Sequence, residues 1–363
     1  MTPTAPSFSP CPPRLDAGEC LDLARRIAAL FRARKALGQD YPNELACEAL
    51  LALAQSGADS RLADHVRWMA TRSGLRPGEA IPWQRQQFHN LGYPYFAFGG
   101  QLEEHRESWL EETRRWVADA PRSASGALVH HCLHEPAGTL IDMVQAYLIR
   151  LVRASALTGD SSWAQTGMAE MERYRAELRD EKTGCYHQGS GWLPGGVRSP
   201  GCWSRGQGWV LHGFAISLPL LPAGSDLRAR LSEMFLELIE AVLPLQRADG
   251  LWNQLIDDPA NTVADTSGSA FIYEALEVGL REGVLPDRNP HYRQAAERAW
   301  SGLQASVDPF GLVRNVTMGP GPIWEISPWE KTPGLTGDMH GVFTMLFACA
   351  ARIQSAGPAG GQP

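Results

Sequence analysis

Seven consecutive residues, Trp203 to Trp209, hold the densest set of chemically useful side chains in the sequence. They include two indoles, the guanidinium of Arg205, the amide of Gln207 and two glycines. Indole faces stack on flat ligands, and a planar guanidinium fits a carboxylate through two parallel hydrogen bonds. Glycine permits a tight turn or a close backbone approach. We therefore predict a loop that leads into an apolar helix at the mouth of a binding pocket. The alternative is a tight turn with packed tryptophans.

Asp142 is a second candidate because it is the only acidic residue between Pro136 and Gly159. Its neighbours are apolar, and burial of an isolated carboxyl disfavours the charged form and raises the pKa. A carboxylic acid in such a place stays protonated and can donate its proton near neutral pH. The alternative is a first-turn aspartate that the helix dipole stabilises. The sequence leaves both interpretations open.

Histidines recur at intervals along the chain: His130, His131 and His134 form one cluster, and His187 and His340 follow. A lone histidine more often makes a structural hydrogen bond. Several histidines in the loops of successive repeats, however, would gather at one end of a closed ring. The spacing of the cluster matches no zinc site, and the sequence contains no phosphate-binding loop or dinucleotide fingerprint. We therefore expect no metal and no cofactor.

Composition bounds the class of protein. The 363 residues are 44% hydrophobic and 20% charged, which is typical of a folded globular chain. The net charge of −7 argues against a nucleic-acid surface, which needs a basic face. No apolar run approaches 18 residues, and residues 1–15 lack the pattern of a signal peptide. Seven scattered cysteines then indicate reduced thiols, so we expect a cytoplasmic protein with no membrane partner.

The periodic segments are nearly all helical, and no period-2 strand exceeds four residues. The predicted helices cover about 16–36, 44–55, 61–71, 95–106, 107–118, 138–157, 161–178, 206–221, 226–246, 266–282, 290–306 and 337–354.

A weak repeat connects these helices. Gly126, Gly184, Gly250 and Gly311 each precede apolar or aromatic residues, and they are separated by steps of 58, 66 and 61 residues. Each step holds two helices, so the period indicates stacked helical hairpins. Six hairpins fill the chain, which predicts an all-α, (α/α)6 barrel over residues 15–355 between disordered tails at 1–14 and 356–363. An open solenoid is the alternative, but its repeats are usually shorter.

The heptapeptide resembles the W-x-R-G-N-G-W signature of the unsaturated glucuronyl and rhamnogalacturonyl hydrolases. The resemblance continues in order through Asp142 and its helix and through the segments 184–187, 249–259 with 265–270, and 337–341. It covers about 120–355. That family has an (α/α)6 barrel, in agreement with the repeat count. Its substrates are oligosaccharides that a polysaccharide lyase has left with a C4=C5 double bond in the terminal uronic acid.

The resemblance implies a mechanism and a set of roles. One aspartic acid protonates C4 of the vinyl ether, and the same carboxylate helps a water add at C5. The resulting hemiketal opens and the glycosidic bond breaks, unlike in ordinary two-carboxylate glycosidases. Asp142 matches the acid, and His187 would orient the acid or the water. The residues that would bind the oligosaccharide or line its pocket are Trp203, Arg205, Gln207, Trp209, His130, His131 and His340.

The sequence departs from the family pattern at three places. Leu140 stands where the family usually has a tryptophan, and Gln207 replaces the signature asparagine. The family's second pocket aspartate has no counterpart, since no aspartate occurs from His65 to Ala118. In the corresponding stretch, His89, Asn90 or Tyr93 would take over its hydrogen bonds, but none of them supplies a carboxylate.

Three functions are compatible with these residues. The first is a hydrolase of unsaturated uronyl oligosaccharides, with pectin or rhamnogalacturonan substrates favoured over glycosaminoglycans. The second is another sugar enzyme on the same barrel, either an epimerase that uses paired histidines or an inverting glycosidase with a second acid. The third is an inactive carbohydrate-binding homologue, which would hold Asp142 far from Arg205.

Overall fold

The computed structural model describes residues 17–33, 41–56, 59–64, 66, 102–130, 138–323, 325–326 and 332–356. The long helices among them are Ala17–Ala33 (α1), Tyr41–Gln55 (α2), Leu102–Asp119 (α3), Met143–Thr158 (α4), Ser161–Leu178 (α5), Ser204–Ser217 (α6), Asp226–Val242 (α7), Thr266–Arg281 (α8), Pro290–Ala305 (α9) and Met339–Ala356 (α10).

The helices form two layers. The even-numbered helices pack side by side in the order α4, α6, α8, α10 and α2, and they make the inner wall. The odd-numbered helices cover them from outside, for example α5 on α4 and α9 on α8. The inner helices are buried almost all round, whereas α7 buries a single apolar face, as an outer helix should. The prediction of an all-α barrel is confirmed.

The repeat is also confirmed. Gly126, Gly184, Gly250 and Gly311 all lie in the left-handed region, with φ between 78° and 93°. Each sits in a turn between the end of an outer helix and the start of the next inner helix. At Gly250 a side chain is impossible, because a Cβ there would lie 2.0 Å from the carbonyl oxygen of Arg298. A positive φ without strain explains why glycine marks each turn.

Connections differ between the two ends of the barrel. The segments that lead into inner helices α4, α6, α8 and α10 are long, whereas those that lead out of α4, α6 and α8 are short, such as Gly159–Asp160. The long segments carry the only paired strands in the described part of the chain. These are Thr139–Leu140 (β1) with Gly189–Ser190 (β2), and Trp252–Asn253 (β3) with Ala264–Asp265 (β4). The inner-helix N-termini and the longest loops therefore share one end.

The predicted helix boundaries need two corrections. The segments 95–106 and 107–118 are not two helices that meet at residue 106, since one helix, Leu102–Asp119, runs through that point. The helix predicted from residue 138 begins only at Met143, because Thr139 and Leu140 pair with β2 instead. Asp142 thus precedes the helix as its N-cap residue.

Several predictions lie outside the described residues. They are the two terminal tails, most of the helix at 61–71, and the side chains of His131, His134 and Asn90. The five cysteines that the structure describes are buried free thiols. None of the described helices carries an apolar stretch long enough to cross a bilayer.

Candidate active site

The heptapeptide is helical from Ser204 onward, so the prediction of a loop is wrong. Helix α6 begins at Ser204, and the two glycines have ordinary helical torsions. Gly206 and Gly208 instead allow close packing against neighbouring elements. A Cβ on Gly206 would lie 3.1 Å from the side chain of Ile141, and one on Gly208 would lie 2.9 Å from Phe271. The glycines therefore let α6 approach both the turn that holds Asp142 and the neighbouring helix α8.

Arg205 is fully buried and lies at the centre of the site. Its Nη1 donates hydrogen bonds to Ser267 Oγ at 2.8 Å and to the carbonyl oxygen of Thr317 at 2.7 Å. Its Nη2 donates to the carbonyl oxygen of Met318 at 3.0 Å. The guanidinium carbon lies 4.4 Å from the ring centre of Trp203, a cation–π contact. Arg205 thus joins α6 to α8 and to the loop before α10.

Four acidic or phenolic groups act on Arg205 from other elements. Burial lowers the pKa of Arg205, and the charges of Asp265, Tyr41, Asp142 and Asp338 raise it in that order. These groups stand at the N-terminal ends of α8, α2, α4 and α10. The inner helices therefore converge on one guanidinium, and their positive dipole ends point toward the same place.

Asp142 has the environment that the sequence predicts. The residue is half-buried, and its Oδ2 is sealed from solvent without a hydrogen-bond partner among the described residues. Burial raises the pKa of Asp142 to about 6, although the charge of Arg205 and the nearby indole of Trp209 lower it. The Nε1–H of Trp209 faces this carboxyl without reaching ordinary hydrogen-bond geometry. Asp142 is therefore a carboxyl with a raised pKa that lies within the electrostatic influence of Arg205.

Asp265 links the N-terminal ends of α6 and α8. This buried carboxylate accepts hydrogen bonds from Ser204 Oγ at 2.6 Å, from both the backbone and the hydroxyl of Ser267, and from the backbone N–H groups of Gly268 and Thr317. It caps α8 and ties that helix to α6. The cap also positions Ser267, which receives a hydrogen bond from Arg205.

His340 is held on both sides. Its Nδ1 lies 2.6 Å from Asp338 Oδ1, and its Nε2 lies 2.5 Å from the hydroxyl of Tyr41. Burial and the charge of Arg205 lower the pKa of His340, against the effect of Asp338. Asp338 and Tyr41 were not predicted. Asp338 could have been predicted as a partner of His340, because it lies two residues before that histidine at the start of a helix. No local sequence pattern marks Tyr41.

His187 lies in the loop before α6, away from hydrogen-bond contact with Asp142. Its Nδ1 lies 2.7 Å from the carbonyl oxygen of Ser199, and its Nε2 lies 3.5 Å from Asp180 Oδ2. The segment of His187 is nevertheless bonded to the turn that holds Asp142. The backbone N–H of Ile141, next to Asp142, donates to the carbonyl oxygen of Gln188, next to His187, at 2.7 Å. Its direct role on the acid or the water stays a prediction.

The side-chain amide of Gln207 makes hydrogen bonds to the segment that holds His187. The side-chain oxygen accepts from the Tyr186 N–H at 2.8 Å, and the nitrogen donates to the carbonyl oxygens of Tyr186 at 2.7 Å and Trp203 at 3.1 Å. Both donor hydrogens are used inside the protein. Gln207 thus clamps the loop of His187 to α6 in this structure.

We expect Gln207→Leu to destabilise the fold by about 3 kcal/mol, because two buried backbone groups of Tyr186 lose their partners. Urea unfolding at neutral pH measures this change. A loss below about 1 kcal/mol would show that the clamp is dispensable.

The remaining predicted residues are placed as follows. The indoles of Trp203 and Trp209 are each 2% exposed. Trp209 packs on Phe271 and Phe343, with ring centres 4.9 and 5.7 Å apart. Stacking of either indole on a sugar therefore stays a prediction. His130 is buried, and its backbone N–H donates to the carbonyl oxygen of Gly138. Among the described residues, no three His, Cys, Asp or Glu side chains group as a metal site.

Comparison with known sequences identifies the family. The profile of Glycosyl Hydrolase Family 88 matches residues 32–354, so the chain belongs to this family of glycoside hydrolases. A 117-residue stretch is 36% identical to an unsaturated 3S-rhamnoglycuronyl hydrolase of Formosa agariphila, and it covers 31% of this chain and 30% of that protein. A similar enzyme of Alteromonas sp. is 29% identical over 109 residues. The matches span less than a third of these curated relatives.

Solved structures share the fold. A possible member of glycoside hydrolase family 105 from Klebsiella pneumoniae superposes with a TM-score of 0.79 at 17% identity, and it covers 97% of this chain and 100% of its own. The unsaturated glucuronyl hydrolase of Bacillus sp. GL1 gives a TM-score of 0.64 at 16% identity, with 92% and 96% coverage. These likenesses show that the helical barrel is the fold of known glycoside hydrolases.

Proposed function

We propose that the protein releases the terminal 4,5-unsaturated uronic acid from oligosaccharides made by polysaccharide lyases. The observation that carries this proposal is Asp142, a carboxyl whose pKa burial raises to about 6, beside the charge of Arg205. The converging N-termini of the inner helices favour an anionic ligand, as a uronate carboxylate is. Its negative charge would in turn raise the pKa of Asp142 and keep the acid protonated.

The proposed reaction begins when Asp142 gives its proton to C4. The π electrons of the double bond form the new C4–H bond, and positive charge develops at C5 and the ring oxygen. Water adds to C5 and loses a proton to a base. The hemiketal then opens to a C5 ketone, and the hemiacetal at C1 expels the leaving sugar as an alcohol. Direct displacement needs a second acid. Of the other two acids that act on Arg205 among the described residues, Asp265 is held by five hydrogen bonds and Asp338 by His340.

The substrate that we favour carries a rhamnose-type leaving sugar, as in pectin or rhamnogalacturonan fragments. The two relatives that match in sequence support the rhamnose part of this choice, since both are named unsaturated 3S-rhamnoglycuronyl hydrolases. The test is a panel of lyase-generated disaccharides from rhamnogalacturonan, other pectins and glycosaminoglycans. Loss of ultraviolet absorbance with a rhamnose-linked substrate supports the proposal. No loss on any member overturns the activity, and faster loss on glycosaminoglycan overturns the substrate.

The pKa of Asp142 also predicts an alkaline limb in the pH profile. Only the protonated acid donates, so kcat/KM should fall about tenfold per pH unit above about 6. Initial rates on the best substrate, measured from acid to alkaline pH, define this limb. Activity that stays constant well above the pKa of Asp142 would contradict its assignment as the acid.

A further inference from the structure

Three side chains from opposite ends of the chain form a hydrogen-bonded row. Tyr41 begins α2, His340 lies in the first turn of α10, and Asp338 precedes α10. The Tyr41 hydroxyl is 2.5 Å from Nε2 of His340, and Nδ1 of His340 is 2.6 Å from Asp338 Oδ1. The same oxygen accepts the backbone N–H of His340 at 2.8 Å. The row is thus fixed at its carboxylate end by the helix cap.

Packing fixes the imidazole in the middle of the row. His340 is 9% exposed, and its ring lies against Phe343 at a centroid distance of 5.7 Å. Tyr41 meets it edge to face at 5.6 Å. The hydroxyl of Thr344 holds the carbonyl oxygen of His340 at 2.7 Å. Both ring nitrogens are therefore aimed, one at an acid and one at a phenol.

Electrostatics set the direction of the two hydrogen bonds. Burial and Arg205 lower the pKa of His340, whereas Asp338 and Asp265 raise it less, so the ring is neutral at neutral pH. Burial raises the pKa of Asp338, but the hydrogen bonds and charge of His340 together with the charge of Arg205 lower it overall, so Asp338 is anionic. Nδ1–H then donates to Asp338, and Nε2 accepts from Tyr41. The Tyr41 oxygen, having donated its proton, can only accept one from a further partner.

The row lies beside the loop that holds Arg205, since Nη2 of Arg205 donates to the carbonyl oxygen of Met318 at 3.0 Å and a Cβ on the next residue, Gly319, would lie 3.4 Å from Cε1 of His340. Tyr41 and Asp142 both act on the charge of Arg205. A buried imidazole between a carboxylate and a hydroxyl is an arrangement that moves a proton away from an attacking oxygen.

We propose that Asp338, His340 and Tyr41 form the base that receives the proton of the attacking water. This proposal rests on the proposed hydration reaction, and it assigns the base to a group other than Asp142. As the water oxygen bonds to C5, its proton passes to the Tyr41 oxygen, and the Tyr41 proton passes to Nε2. Asp338 stabilises the resulting imidazolium. Solvent later takes this proton and reprotonates Asp142.

The test uses Tyr41→Phe and Asp338→Asn in the full chain, assayed on an unsaturated rhamnogalacturonan disaccharide. We expect kcat of Tyr41→Phe to fall about 100-fold with KM nearly unchanged. The wild type should also lose activity at acid pH as His340 becomes protonated. Asp338→Asn should move this acid limb to lower pH, because Asp338 raises the pKa of His340. The alkaline limb of Asp142 should remain near pH 6.

Tyr292→Phe is the matched control. It removes a phenol that donates to Glu240 on the outer wall, and it should leave kcat and both limbs unchanged. Wild-type kcat in Tyr41→Phe, or an acid limb that Asp338→Asn does not move, overturns the relay while the hydrolase activity stands. A wild type that destroys no double bond overturns the proposed function, and the relay with it.

Discussion

Asp142→Asn should abolish turnover and at the same time make the protein more stable. The amide cannot protonate C4, so we expect kcat to fall by about 10³-fold. The stability gain follows from burial, which raises the pKa of Asp142 from 3.8 to about 6. At neutral pH the folded chain therefore holds an unfavourable charge, and its removal should gain up to about 3 kcal/mol.

The size of this stability gain depends on pH. A carboxyl whose pKa is raised by folding contributes stability below its unfolded pKa of 3.8, and this contribution is lost as the pH rises through about 6. The stability difference between Asp142→Asn and wild type should accordingly vanish below about pH 4. Urea unfolding at about pH 4 and about pH 7 measures both values.

Asp160→Asn is the control for this prediction. Asp160 also precedes a helix, but it is exposed, and hydrogen bonds from the side chain and the backbone N–H of Ser162 lower its pKa. The substitution should neither stabilise the protein nor change turnover. If Asp142→Asn destabilises the fold and keeps substantial activity, Asp142 is a structural cap and the proposed mechanism is wrong.

Arg205→Met should have the largest combined effect on folding and catalysis. The change removes three hydrogen bonds to Ser267, Thr317 and Met318, and it leaves the surrounding acids without their buried cation. Loss of one partner from a buried charge cluster costs about 3–5 kcal/mol. Arg205 lowers the pKa of Asp142, so its removal should also shift the alkaline limb to higher pH.

Arg352→Met is the control that separates the loss of stability from the shift of the alkaline limb. Arg352 is also buried, and it pairs with Glu277 and Glu297 from the C-terminal half of α10. We expect a similar loss of stability without a shift of the limb. Urea unfolding and pH profiles of both variants make the comparison. A wild-type pH profile in folded Arg205→Met would contradict the electrostatic link between Arg205 and Asp142.

The helices were predictable because each carries its own periodic pattern. Ser161–Leu178 matches the predicted bounds, and the repeated glycines lie in equivalent turns. The isolation of Asp142 among apolar residues also anticipated its raised pKa. These features depend on neighbours within a few residues, which the sequence displays directly.

Long-range partners were not predictable. Arg205 bonds to groups 62 to 113 residues away, and Tyr41 meets His340 across 299 residues. The helical start at Ser204 was missed because Gly206 and Gly208 suggested a turn, whereas helix packing demanded their small size. The ring of inner helices brings together the N-terminal ends of helices that are far apart in the sequence.

The most direct test of the central claim is the position of solvent hydrogen in the product. The enzyme would be run in D₂O on an unsaturated rhamnogalacturonan disaccharide, and the early product followed by NMR. We predict one deuterium at C4 of the released sugar and no remaining double bond, because Asp142 delivers a solvent-derived proton there. Release of a sugar with its C4=C5 bond intact would show direct glycosidic cleavage and contradict the proposed role of Asp142.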